Sequence, residues 1–142
     1  MTQAKTPMWF WAIGVIALIW NGLGVAAYIG EAMMTAEQFA ALSELERNLY
    51  ANRPSWVSTA FAIAVIGGFV AAITFLLRKA VAVRLFLLSL VAVIVQFSSY
   101  FILDGYAEYI SETGWAMPIM IPVFAVGFFL IAFRCEKNGF LA

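Results

Sequence analysis

Three side chains have both the chemistry and the setting of a small binding site: Asn21, Gln96 and Tyr100, each inside a long apolar run. A carboxamide offers two N–H donors and a carbonyl acceptor, and a phenol can donate and accept, so the trio suits a neutral, hydroxyl-rich or amphipathic ligand. Asn21 and Gln96 lie about three residues, or ~4.5 Å, from the centres of their runs and toward the same end, so they share a depth. The same amides could instead bond across helices as packing glue, a contact of roughly 0.6–2 kcal/mol between apolar helices. Thr59, Thr74, Ser89, Ser98 and Ser99 are further hydroxyls within these runs. No Asp, Glu, Lys, Arg or His lies deep within them, and those are the residues that mark proton relays and ion pathways.

The rest of the inventory limits the chemistry further. There is no histidine and one cysteine, Cys135, which leaves no disulfide within the chain, no CxxC redox pair and almost no zinc arrangement. No nucleophile with an acid and a base can be assembled at any depth, so the expectation is a protein without catalytic residues, without a metal and not an enzyme. No cofactor held by ligation is implied; bound lipid, or an apolar pigment needing no ligating side chain, is compatible with this set.

The elements that must carry these residues follow from composition. Of 142 residues, 65% are apolar and 11% charged, against about 45–50% and 25% in soluble domains. Four uncharged stretches, 8–29, 56–77, 85–103 and 117–133, approach or exceed the ~20 residues needed to cross a bilayer. They are continuous rather than alternating in polarity, so helices are expected and barrel strands are not. The fold class is therefore an all-α integral membrane protein, a four-helix transmembrane bundle forming a single domain over 1–142. The first run is longer than the ~7–15 residue core of a signal peptide and reads as a true helix.

Lys5, Arg78, Lys79, Arg84, Arg134 and Lys137 lie at the termini or in the middle turn. Arg47 and Arg53 share the other two connections with Glu31, Glu37, Glu44, Glu46, Asp104, Glu108 and Glu112. The positive-inside rule then puts both termini in the cytoplasm. Trp9 and Trp11 fall at the inner interface; Tyr28, Tyr50, Trp56, Tyr106, Tyr109 and Trp115 fall at the outer one. Eight basic and eight acidic residues cancel, which gives no general attraction to nucleic acid.

The longer outer connection predicts an amphipathic helix over 35–52. Thr35 and Gln38 form a capping box, and Phe39, Leu42, Leu45 and Leu49 recur at helical spacing before Arg53 and Pro54. It would cover helix ends or act as a lid or docking surface. In the second outer connection Asp104, Glu108 and Glu112 would share a helical face if the third span continued past Leu103, giving a solvated acidic face rather than a calcium site.

Ala60, Ala64, Gly68 and Ala72, with Gly67 beside them, form a stripe along the second span that lets another helix approach closely, either within this chain or from a partner. In the last span Pro118 fits a first turn, whereas Pro122 removes a backbone bond and is the hinge candidate.

Trp20, Asn21 and the glycines at 22 and 24, then Arg53, Pro54, Ser55 and Trp56 leading into the run over 62–68, and finally Met117 and Pro118 carry a resemblance over most of the chain. The sequence resembles a group of small four-helix bacterial inner-membrane proteins commonly labelled sugar transporters. That resemblance implies a bacterial inner-membrane location and solute transport. The chain lacks the acidic residue in the first helix that small multidrug resistance transporters use. It also lacks the charge symmetry of the small fluoride channels and the proline-glutamine signature of half-length sugar transporters. The leading functional expectation is an accessory or interaction subunit, associating with itself or a larger membrane complex through the small-residue stripe. The alternative is an oligomeric facilitator of a small uncharged, sugar-like solute, with a polar pocket at Asn21, Gln96 and Tyr100.

Overall fold

The computed structural model describes residues 4–142, and these form seven helices: α1 (Met8–Ala32), α2 (Ala36–Ala40), α3 (Glu44–Asn52), α4 (Ser55–Leu76), α5 (Val81–Ile102), α6 (Tyr106–Thr113) and α7 (Ala116–Lys137). Four of them, α1, α4, α5 and α7, are long and apolar enough to cross a membrane. At 22 to 25 residues each they extend about 33–38 Å, against ~30 Å of hydrocarbon. Three outrun the expected spans by three residues or more: α1 ends three later, at Ala32, α5 starts four earlier, at Val81, and α7 ends four later, at Lys137. Arg84 and Arg134 end the apolar runs without ending the helices, because an arginine is a good helix former and its stem lies along apolar surface.

Local chemistry sets the boundaries. Pro7 and Pro54 stand as extended N-caps of α1 and α4, where a missing N–H costs nothing. α4 ends with Arg78 in the left-handed region at φ 59°. The Arg78 and Lys79 N–H groups donate to the carbonyls of Phe75 and Thr74, the paired bonds of a Schellman motif. α7 ends the same way around Gly139, with Gly139 donating to Glu136 and Phe140 to Cys135.

The amphipathic helix expected over 35–52 is two helices. The capping box is present: the Gln38 N–H donates to Thr35 Oγ1 at 3.1 Å and the Thr35 N–H to Gln38 Oε1 at 3.0 Å. Ser43 then caps a fresh start, accepting from the Glu46 N–H at 3.1 Å, so the chain turns between α2 and α3. The continuous acidic face is also corrected. α5 stops at Ile102 and Gly105 turns at φ 90°, which leaves Asp104 in the turn and only Glu108 and Glu112 on α6.

α4 and α5 form the closest-packed pair, with α1 against α4 and α7 against α5. α1 and α4 run antiparallel in a regular register: Gly14 faces Leu76, Asn21 faces Gly68, Gly24 faces Val65 and Tyr28 faces Phe61. The core is concentrated at the end that carries both termini. There Phe10 stacks on Phe75 at 4.3 Å, Phe75 meets Phe86 and Phe86 meets Phe128, with Ala17, Ala71, Ala72, Ala132 and Cys135 filling between them. The same end is tied by backbone: Ala4 donates to Gly139, Ala142 to Arg78 and Ala80 to Ala142. The Arg78 guanidinium donates to the carbonyls of Phe140 and Ala4. Toward the opposite, distal end the contiguous cluster is smaller, Ala64, Ala92 and Val93, with Val57, Ala60, Tyr106 and Ile110 buried beyond it.

Candidate functional site

The distal half of the bundle is hollow. α1 is held by α4 and α7 by α5, and side chains bridge the space between α1 and α7. Trp20 stacks on Phe124 with ring centroids 4.3 Å apart. Beside this bridge lies a chamber of about 340 Å³ with walls from all four long helices. Above it, at the distal mouth, is a vestibule of about 200 Å³ walled by α3, α6 and the ends of the long helices. Phe61, Gln96 and Tyr100 line both spaces and form the neck between them.

Asn21, Gln96 and Tyr100 all face the chamber, but the two amides do not bond each other. Asn21 Nδ2 donates to the carbonyl of Ala17 on its own helix at 2.8 Å, and its carboxamide packs on the bare backbone of Gly68. Ser89 Oγ donates to the Ala64 carbonyl at 2.7 Å, which joins α5 to α4. Among the described residues neither the Gln96 carboxamide nor the Tyr100 hydroxyl has a hydrogen-bond partner. Both are half-buried, so the neck presents two N–H donors, a carbonyl and a hydroxyl to whatever occupies it. Phe97 stacks on the Tyr100 ring at 5.1 Å and Tyr106 meets it edge-on at 4.8 Å, which fixes the phenol's direction.

The vestibule contains residues that sequence reasoning assigned only to the charge bias or the aromatic belt. Glu31, at the end of α1, accepts from Tyr50 Oη at 3.0 Å and from Arg53 Nη2 at 3.0 Å. The Arg53 guanidinium also lies 5.1 Å from the centre of the Tyr50 ring. Burial, and then the Glu31 carboxylate, push the Tyr50 phenol up to about 12; burial raises that of Tyr106 as well. This clamp joins α1 to α3 and to the start of α4, and its paired charges leave little net field at the neck. A signal for it was present in the sequence, since Glu31 follows one span and Arg53 precedes the next on the same side. Tyr50, Tyr106 and Tyr109 thus turn toward the vestibule rather than outward, whereas Trp9, Trp11, Trp56 and Trp115 are exposed.

The small-residue stripe is occupied within the chain. Ala60, Ala64, Gly68 and Ala72 are buried, and a Cβ at Gly68 would collide with the Asn21 carboxamide oxygen. Gly67 lies off this contact, with Ser89 Cβ 4.0 Å away as its nearest neighbour. α7 continues unbroken through Pro122, so that proline frees the Pro118 carbonyl without ending the helix. Among the described residues no three His, Cys, Asp or Glu side chains cluster as a metal site would need. Comparison with protein-family models, with curated proteins and with solved structures found no match to this chain.

Proposed function

We propose that this is a multi-pass protein of the bacterial inner membrane, with both termini cytoplasmic, that binds a small uncharged molecule at the neck and facilitates its passage. The observation that carries this reading is the half-buried, unpartnered Gln96 carboxamide beside the unpartnered Tyr100 hydroxyl. Their polar atoms are not sealed off by the protein, and with no partner on the chain they offer their donors and acceptors to a molecule that enters the cavity. The chamber falls at the lower end of the ~300–1,000 Å³ range of ligand pockets. The phenylalanine cluster around Phe10, Phe75, Phe86 and Phe128 closes the terminal half, so passage needs those rings to part. The basic residues at the terminal end favour the cytoplasmic orientation. Assembly into an oligomer belongs to the same proposal, because four helices enclose little volume.

The accessory-subunit alternative loses its specific surface, since the stripe is buried against α1 and α5. What remains to it are the exposed apolar faces of the four long helices, which lipid covers equally well.

Proteoliposomes loaded with glycerol, xylose or glucose and followed by stopped-flow light scattering test the facilitator. Expected is flux above protein-free vesicles for at least one solute, lowered about tenfold or more in Gln96→Leu. Flux equal to protein-free vesicles for all three, with the protein correctly folded, overturns it.

A further inference from the structure

We propose that the occupant of the chamber is an uncharged single-chain amphiphile drawn from the bilayer, its head on Gln96 and Tyr100 and its tail running toward Phe128. This rests on the neck being a binding site and goes further by naming the ligand class. The polar side chains of the chamber that make no hydrogen bond at all lie at one end. Asn21 and Ser89 each already donate one bond to a carbonyl of the protein, and the Asn21 carboxamide is packed on Gly68, whereas the Gln96 carboxamide and the Tyr100 hydroxyl have no partner among the described residues. No charged side chain lines the chamber, which excludes an ionised headgroup within it. Along α7 the lining runs from Met117 to Phe128, a depth of about 17 Å, and its remaining walls are mostly apolar. That shape suits a polar head above a chain better than a compact sugar.

The route of access is also on the structure. Leu23 and Met117 line the chamber yet are 65% and 53% exposed, so they rim an opening between α1 and α7 on the flank of the bundle. The Trp20–Phe124 stack marks the limit of that opening toward the terminal end.

Trp20 on the chamber wall supplies the probe. In a chain carrying Trp9→Phe, Trp11→Phe, Trp56→Phe and Trp115→Phe, reconstituted in phosphatidylcholine vesicles, a monoacylglycerol brominated on its chain should quench Trp20 saturably. Brominated phosphatidylcholine should quench only in proportion to its abundance. Gln96→Leu should weaken the apparent affinity about three- to tenfold, the loss of one neutral hydrogen bond. Ala125→Phe, which fills the chamber and leaves the neck intact, should abolish saturation. Non-saturable quenching no greater than that by brominated phosphatidylcholine overturns the proposal, as does equal saturation by a brominated fatty-acid anion. Gln96-dependent solute flux without saturable quenching overturns the amphiphile and leaves the binding site standing; absence of both removes the site as well.

Discussion

Gly67 and Gly68 are adjacent in sequence and opposite in surroundings. A methyl group at Gly68 meets the Asn21 carboxamide and comes within 3.1 Å of Ser89 Oγ, whereas at Gly67 it makes one ordinary contact at 4.0 Å. Gly68→Ala should therefore destabilise by about 1–3 kcal/mol through overpacking, and Gly67→Ala should be neutral or stabilise by up to ~1 kcal/mol through helix propensity. Thermal unfolding in detergent, read by circular dichroism, checks both signs. The sequence showed the stripe but not this distinction, which depends on where α1 lays its amide. Tyr50 gives a second prediction at this scale. Its phenol titrates near 12 in the folded protein against 10.0 ordinarily, so as pH rises the unfolded chain releases its proton first. Its contribution to stability is complete below pH 10 and is lost between 10 and 12. Denaturation across pH 8–12 should show that decline diminished in Tyr50→Phe; an unchanged decline would contradict the assignment.

Among the elements, α3 is lightly held. It has no buried residue, and the Ser43 cap and the Glu31 clamp fix its position. Ser43→Ala should cost about 1 kcal/mol of local stability, seen as faster hydrogen exchange over α3 with α4 unaffected. The four long helices were legible because apolar length is a one-dimensional signal. The break between α2 and α3 was less so, because Ser43 and Glu46 repeat the same spacing as Thr35 and Gln38 within one amphipathic pattern. Whether a second cap interrupts a helix or merely decorates it depends on what lies beneath, and here Leu49 must reach Gly105. Similarly, the acidic residues at 104, 108 and 112 matched a helical period that Gly105 interrupts.

For the molecule as a whole, the sequence allowed the depth of Asn21 and Gln96 to be matched, but the hollow between α1 and α7 comes from unequal packing along the bundle. At the terminal end Phe10, Phe75, Phe86 and Phe128 interlock across the four helices, whereas the distal aromatic pairs line the cavities rather than fill them, and no count along the chain records that difference. Orientation remains a whole-molecule prediction. Cys135, the one cysteine, is fully buried, so the unmodified chain serves as a blank for thiol labelling. In intact cells stripped of their outer membrane, a membrane-impermeant maleimide should label Glu37→Cys and spare Lys79→Cys; the reverse pattern would invert the topology.

The bonds gathered at Arg78 impose an order of assembly. Its guanidinium reaches Ala4 and Phe140 while its backbone carbonyl receives Ala142, so three parts of the chain far apart in sequence close at one point. During synthesis α1 emerges first and can lie along α4 as soon as α4 is made, yet its inner end acquires its last partners only when the turn after α7 has left the ribosome. The segment before α1 is therefore fully secured only after α7 is made, and a nascent chain arrested before residue 139 should leave the segment around Ala4 open to proteases on that side of the membrane.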